Sequence, residues 1–150
     1  MPSTHSQLLL HFVFSTKLRS PLITPDLQPR LYDYIGGIVR GEGGVLYAIG
    51  GMPDHLHLLL RWRTDATIAS LMSKLKGGSS AWVHATFPDR ADFRWQEGYG
   101  VFSVSRSMEP IVKRYIEHQP EHHASRDFQA EYIQLLKSHG VDYDERYLWD

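Results

Sequence analysis

The chain has 150 residues, of which 42% are hydrophobic and 22% charged, and its formal net charge at pH 7 is −1. This length and balance are typical of one globular domain with its own core, and we expect residues 1–150 to form a single domain with no membrane partner. Because the sequence contains no cysteine, thiolate metal sites, disulfides and cysteine nucleophiles are excluded.

Hydrophobic patterning predicts alternating strands and helices along the chain. Strands are expected at residues 8–16, 45–49 and 54–63, with a further strand region at 93–96 and 100–105. Helices are expected at residues 26–40, 67–76, 107–119 and 125–137, with Thr24 or Asp26, Asp65 or Thr67, and Ser107 as N-caps of the first three. The pair Gly77-Gly78 either ends the second helix or lies within a longer one. The order β-α-β-β-α-β predicts an α+β, ferredoxin-like (RRM-like) antiparallel sheet with helices on one face and extra C-terminal helices.

The stretch GGMPDHLHLLLRWR at residues 50–63 combines a turn with a strand. Because side chains alternate along a strand, His55 and His57 point to one face, about 7 Å apart along the backbone. Two imidazoles on one face can converge on a metal ion, although a strand can also carry two histidines without binding one. Asp54 either orients one of these imidazoles or caps the turn.

Tyr115 and Gln119 lie four residues apart and share a face of the predicted helix 107–119. Such a pair usually lies on the surface. Beside a bound metal, however, a tyrosine hydroxyl can act as a nucleophile toward a phosphodiester. A glutamine carbonyl is a neutral oxygen ligand suited to Mg²⁺ or Mn²⁺.

Several other histidines lie near these residues in the sequence. His118, His122 and His123 are close to Gln119, and any of them can be a fourth metal contact, although surface positions at a helix end are commoner. His11 alternates with apolar neighbours on the first strand, which indicates a structural or substrate-facing residue.

Charge is distributed unevenly along the chain. Residues 61–114 carry nine basic and five acidic side chains, whereas residues 115–150 carry three basic and eight acidic ones. The basic middle indicates a phosphate-binding surface, unless it is ordinary scatter of solvated charges. The candidate DNA-binding residues are Arg61, Arg63, Lys74 and Lys76. The two arginines continue the face of the histidine pair, and the two lysines precede glycines where a DNA backbone can approach closely.

These motifs together resemble a known family. The His-hydrophobe-His motif at 55–57, with HFVFSTK near the start, RWQEGYG at 94–100 and YIEHQPEHH at 115–123, resembles the small single-tyrosine HUH transposases. These are the TnpA-type enzymes of insertion sequences that move as single-stranded DNA, and their REP-associated relatives. The resemblance covers nearly the whole chain, from about residue 8 to 147.

The resemblance implies roles for individual residues. Tyr115 would cut single-stranded DNA at hairpin-flanked ends and become joined to the 5′ phosphate. His55, His57 and Gln119 would hold a divalent metal, Mg²⁺ or Mn²⁺. The family also implies a homodimer, in which the helix of Tyr115 completes the partner's site, and a cytoplasmic, nucleoid-associated location.

Two alternatives remain open at this point. A non-catalytic single-stranded nucleic-acid-binding module would need aromatic residues on an exposed sheet face. A metal hydrolase would use the histidines but form no covalent intermediate.

Overall fold

The computed structural model describes residues 3–123 and 127–149. Its sheet has four antiparallel strands in the order β2-β3-β1-β4. The strands are β1 (Leu9–Ser15), β2 (Val45–Met52), β3 (His55–Arg61) and β4 (Gly100–Val104). This is the strand order of the predicted ferredoxin-like α+β fold, and it confirms that prediction.

Two long helices, α1 (Gln28–Gly41) and α2 (Ile68–Thr86), cover one face of the sheet. Their apolar residues pack against the leucines of β3 that alternate with the histidines, so the main core lies on this side. Helix α2 continues through Gly77 and Gly78, which resolves the alternative that the sequence left open. A Cβ at Gly78 would lie only 3.3 Å from Ile38 Cδ1, so this glycine lets the two helices approach closely.

Three C-terminal helices cover the opposite face, which is the face that carries the histidines. They are α3 (Glu109–Glu117), α4 (Gln119–His122) and α5 (Phe128–Ser138). Ile116 of α3 packs on β2 and β3, and Phe128 of α5 packs on β1 and β4. Neither face is therefore left as an open aromatic platform in the described structure, which argues against an RRM-like binding module.

The predicted helix 107–119 is wrong in its bounds. A 3₁₀ turn precedes α3, the helix breaks at His118 (φ −112°, ψ 33°), and Gln119 begins α4. Pro120 explains the break, because its ring would clash with the carbonyl of residue 116 in a continuous helix. Ser107 does not cap α3; its hydroxyl contacts Ser105.

Other local predictions had mixed outcomes. Thr67 caps α2 as predicted, whereas neither Thr24 nor Asp26 makes a side-chain cap on α1. Residues 93–96 form only an isolated bridge between Trp95 and Thr16. The predicted start of the last helix at Ser125 lies outside the described residues, and α5 is capped by Asp127. None of the described helices combines the length and apolarity needed to cross a bilayer.

Candidate active site

The two histidines of β3 point to the same face, as their alternation predicts, and both are fully buried. Their Nε2 atoms converge on one carboxylate: Glu131 Oε1 lies 2.8 Å from His57 Nε2 and 3.4 Å from His55 Nε2. A strand with incidental surface histidines would leave these rings in solvent. The structure instead encloses them beneath the C-terminal helices.

The other nitrogen of each imidazole contacts a second polar side chain. His55 Nδ1 lies 2.8 Å from Asp54 Oδ1, and His57 Nδ1 lies 2.8 Å from His11 Nε2. These contacts fix the orientation of both rings and direct each Nε2 toward the shared centre. Asp54 therefore orients the imidazole of His55, which is one of its two predicted roles. His11 orients the imidazole of His57 in the same way, so it has a structural role.

Glu131 was not identified from the sequence. It lies on the inward face of α5 between Phe128 and Tyr132 and is only 3% exposed. The sequence did contain a signal for its role, because Glu131 lies within an apolar stripe of the helix. A carboxylate is buried at such a position only when it has hydrogen-bond or ion-pair partners.

Gln119 and His123 complete the cluster from α4 and the turn after it. Gln119 Oε1 lies 3.0 Å from His55 Nε2 and 3.0 Å from His123 Nε2. His123 Nε2 also lies 3.2 Å from Glu131 Oε2, and its side chain is 6% exposed. His123 is thus buried within the cluster, contrary to the surface position that its sequence context favoured.

The structure brings Tyr115 to the same centre from α3. Its hydroxyl donates a hydrogen bond to Glu131 Oε2, and its ring meets that of His57 edge-on, with centroids 5.7 Å apart. Tyr115 and Glu131 also line a cavity of about 470 Å³ between α3, α5 and the β1–β4 side of the sheet. The phenol oxygen therefore lies beside the histidine–carboxylate group and next to space that a substrate can fill.

Burial and charge act against each other in this cluster. Burial lowers the pKa of His57 and, together with His57, that of His11. Burial alone would lower the pKa of His55 too, but hydrogen bonds to Asp54 and Glu131 raise it to about 9. Burial likewise opposes ionisation of Glu131, yet hydrogen bonds from both histidines hold its pKa well below its usual range. Glu131 is therefore an anion that faces two imidazoles.

This donor set fits a divalent metal. Nitrogen atoms of His55 and His57 and a carboxylate oxygen of Glu131 all lie within 4.8 Å of one another. Imidazole and carboxylate are ligands that Mn²⁺ and related ions accept, and the amide oxygen of Gln119 faces the same point. The buried cluster can thus bind a metal.

The four candidate DNA-binding residues lie apart from this cluster. Arg63 pairs with Asp65 and Lys74 with Glu42, with a 2.7 Å contact in each pair. Arg61 is exposed at the end of β3 away from His55. Lys76 lies on α2, on the opposite side of the sheet, so the structure does not bring the four together.

The sequence matches a known protein family over most of its length. The family model described as "Transposase IS200 like" matches residues 4–119, which includes the histidine pair, Tyr115 and Gln119. Glu131 lies beyond the matched segment. The chain is 26% identical over 118 residues to the ISDra2 transposase TnpA of Deinococcus radiodurans, covering 75% of this chain and 84% of that protein.

A second relative and two solved structures are also similar to this chain. The transposase for insertion sequence element IS200 of Salmonella typhimurium is 27% identical over 116 residues, covering 74% of this chain and 76% of that protein. A crystal structure from Deinococcus radiodurans, described as that of a candidate transposase, superposes with a TM-score of 0.64 at 27% identity, over 79% of this chain and 95% of that one. A REP-associated tyrosine transposase bound to a REP hairpin gives a TM-score of 0.55 at 19% identity, over 77% and 70% of the two chains, and shares the fold.

Proposed function

The chain belongs to the family of IS200-like transposases, enzymes that cut and join DNA strands, and from that premise we propose that it cleaves and rejoins single-stranded DNA through a tyrosine–DNA link. The observation that carries the proposal is the meeting of Tyr115 with Glu131 beside the buried histidine pair. A phenol, a carboxylate and two metal-binding imidazoles are the groups that such a reaction needs.

In the proposed reaction the oxygen of Tyr115 attacks the scissile phosphorus. A bond forms between that oxygen and phosphorus, and the bond from phosphorus to the 3′ oxygen breaks. Glu131 accepts the phenolic hydrogen bond and orients the oxygen, but its lowered pKa makes it a weak base, so the phenolic proton is released to water. The leaving 3′ oxygen takes up a proton from water to become a hydroxyl. Attack by that or another 3′ hydroxyl reverses the step. Because the phosphotyrosine link conserves the phosphodiester, joining requires no ATP.

His55 and His57 would hold a divalent ion, Mg²⁺ or Mn²⁺, with Gln119 or Glu131 as the oxygen ligand. When bound, the ion acts as a Lewis acid that stabilises the additional negative charge on the phosphate. Asp54 and His11 keep the two imidazoles aimed at that position.

Further parts of the proposal concern substrate and assembly. The hairpin bound by the REP-associated neighbour supports hairpin-flanked ends as the substrate. We propose that residues 1–150 act as one transposase domain, that a homodimer holds the two ends to be joined, and that the enzyme works in the cytoplasm beside the nucleoid. Because Tyr115 already lies beside the histidines of its own subunit, the arrangement supports cleavage in cis. Arg61, Arg63, Lys74 and Lys76 remain proposed DNA contacts.

A denaturing gel tests this function. The protein is incubated with Mn²⁺ and labelled single-stranded DNA from the flanks of its gene. We expect a slowly migrating protein–DNA adduct that Tyr115→Phe abolishes. Product release without an adduct, lost in His55→Ala but retained in Tyr115→Phe, would instead indicate a metal hydrolase.

A further inference from the structure

A second cavity lies on the sheet face opposite the histidine pair, between α2 and the loop at residues 94–99. Its volume is about 460 Å³, within the range of pockets that hold a small ligand. A nucleotide fits such a volume, whereas a duplex would contact only its rim. The proposed chemistry does not use this cavity.

Some surface cations of this protein form ion pairs, but the two that line this cavity do not. Arg63, Lys74 and Arg90 each pair with a carboxylate, at Asp65, Glu42 and Asp26 respectively. Lys76 Nζ donates to the carbonyl oxygens of Glu97 and Gly98, at 3.1 and 2.9 Å, and lies 5.7 Å from the centroid of the Phe14 ring. Arg94 donates to the carbonyls of Ala91 and Phe93 and contacts His84. Within the described residues, neither Lys76 nor Arg94 has a carboxylate in salt-bridge range, although the carboxylate of Glu97, which also lines the cavity, acts on the charge of Lys76. The lining therefore carries two positive charges and one negative charge.

The rest of the lining suits a nucleotide. Ser73 and Ser80 of α2 supply hydroxyl groups, and Trp95 and Tyr99 supply aromatic surface. A Cβ at Gly77 would meet no atom within 4 Å, so the helix leaves this part of the cavity open. Lys76 is half-buried, and burial lowers its pKa to about 8 against the opposing effect of the Glu97 carboxylate.

The loop that lines this cavity contacts β1 at the end of the sheet that carries His55. Gln96 binds both backbone groups of Ser15: its side chain accepts from Ser15 N, and its own N donates to Ser15 O over 3.0 Å. Ser15 is the strand partner of His55. The loop that lines the cavity is therefore held directly beside the strand position of His55.

We propose that this cavity binds one unpaired nucleotide of the DNA strand that is cleaved, with a phosphate held between Lys76 and Arg94. The proposal rests on the function proposed above and extends it, because a nucleotide held here fixes how the strand is positioned relative to Tyr115. Selection among bases at this position would follow from the shape of the cavity beside Trp95 and Tyr99.

Fluorescence anisotropy with a mixed-sequence 30-nucleotide single strand, titrated at several salt concentrations, tests the proposal. The double variant Lys76→Gln/Arg94→Gln is expected to bind the single strand on the order of tenfold more weakly. The slope of the logarithm of the binding constant against the logarithm of salt concentration should be shallower by about 0.7 for each phosphate that the variant no longer binds. Arg146→Gln removes a cation that pairs with Asp144 and is the matched control, with unchanged binding. Equal weakening for single-stranded and blunt duplex DNA would overturn the proposal, since only an unpaired nucleotide enters the cavity.

A second pair of variants distinguishes a loss of binding from a loss of folding. Gly77→Glu places a carboxylate in the cavity and should weaken binding, whereas Gly41→Glu adds the same charge at the end of α1, outside the cavity and where a Cβ also meets no atom within 4 Å, and should bind DNA like the original protein. Both replacements favour helix more than glycine does. Original-strength binding by folded Gly77→Glu would overturn the proposal.

The adduct gel separates this inference from the proposed function. If no DNA gives an adduct while the cavity variants still weaken binding to a single strand, the tyrosine chemistry is wrong and the cavity remains a nucleotide site. If adducts form and all cavity variants bind normally, only the cavity assignment fails.

Discussion

The hydroxyl of Tyr115 donates to a carboxylate oxygen of Glu131, and the other oxygen of that carboxylate lies 2.8 Å from His57 Nε2. Glu131 thereby joins the proposed nucleophile to the proposed metal ligands. It comes from α5, outside the segment matched by the family model. Through this contact, α5 supplies a residue to the proposed chemistry.

Metal affinity should depend on Glu131 more than on Gln119. Both oxygens face His55, but the carboxylate carries a charge that an ion neutralises, whereas the amide is neutral. We expect Glu131→Ala to weaken Mn²⁺ binding by at least about tenfold, and Gln119→Ala by less, measured by isothermal titration calorimetry. The reverse order would show that Gln119 is the main oxygen ligand and that Glu131 serves only Tyr115.

Asp54 should act on metal binding without touching the metal. Its carboxylate holds His55 Nδ1 at 2.8 Å and is partly exposed, so its replacement leaves no large cavity. We expect Asp54→Ala to weaken Mn²⁺ binding by about 10–100-fold, as removal of such an orienting group commonly does. Asp54→Asn keeps a hydrogen-bonding oxygen and should recover most of the affinity. Equal affinity in all three proteins would mean that other contacts orient His55.

Metal binding should release a proton at neutral pH. The pKa of His55 is raised to about 9 in the metal-free protein, so its imidazole is charged at pH 7 and must lose a proton to become a ligand. Calorimetry in PIPES and Tris, whose ionisation enthalpies differ, should show about one proton released per Mn²⁺ near pH 7, falling toward zero above pH 9. Buffer-independent enthalpies at pH 7 would contradict this.

The same raised pKa has a consequence for stability. A histidine whose folded pKa exceeds its unfolded value stabilises the fold fully below the unfolded pKa, near 6.5. That contribution is lost as pH rises through about 9. The thermal midpoint of the metal-free protein should therefore fall between these values, and the fall should be smaller in His55→Gln. A midpoint that rises over this range would show that another group dominates.

Gly50 should be essential for the position of α3. A Cβ at this residue of β2 would lie 2.1 Å from the carbonyl oxygen of Ile116, so the helix carrying Tyr115 could not remain in place. We expect Gly50→Ala to lower the thermal midpoint and to reduce adduct formation severely. Gly41→Ala is the control, because its Cβ would meet no atom within 4 Å. Equal adduct yields from both variants would mean that α3 sits differently on the sheet.

Local patterns predicted the parts of the site that lie on one strand or within a short segment. The two-residue period of β3 places His55 and His57 on one face, and Thr67 begins α2 as its sequence indicates. The prediction ended this helix at about Gln119, before Pro120, whereas the structure breaks it at His118, because the ring of Pro120 would clash with the carbonyl of residue 116. The sequence distance between Tyr115 and Gln119 still brings them together across that break: Gln119 Nε2 lies 3.4 Å from the carbonyl oxygen of Tyr115.

Local sequence patterns could not predict the contacts between distant segments. Glu131 is 74 residues from His57, and no periodicity links a glutamate on the last helix to a histidine on the third strand. His123 is buried only because α4 and α5 close over it, which its exposed-looking neighbours do not indicate. The charges of Lys74 and Lys76 look equivalent in sequence, but only the structure shows that the first forms an ion pair with Glu42 and that the second donates to backbone carbonyl oxygens.

The central claim is that Tyr115 becomes covalently joined to DNA beside the histidine pair. The most direct measurement is mass spectrometry of the protease-digested adduct, formed with Mn²⁺ on single-stranded DNA from the flanks of the gene. We predict a nucleotide attached through its 5′ phosphate to the peptide that contains Tyr115, and no such peptide from His57→Ala. A nucleotide attached to any other residue, or cleavage without attachment, would contradict the account.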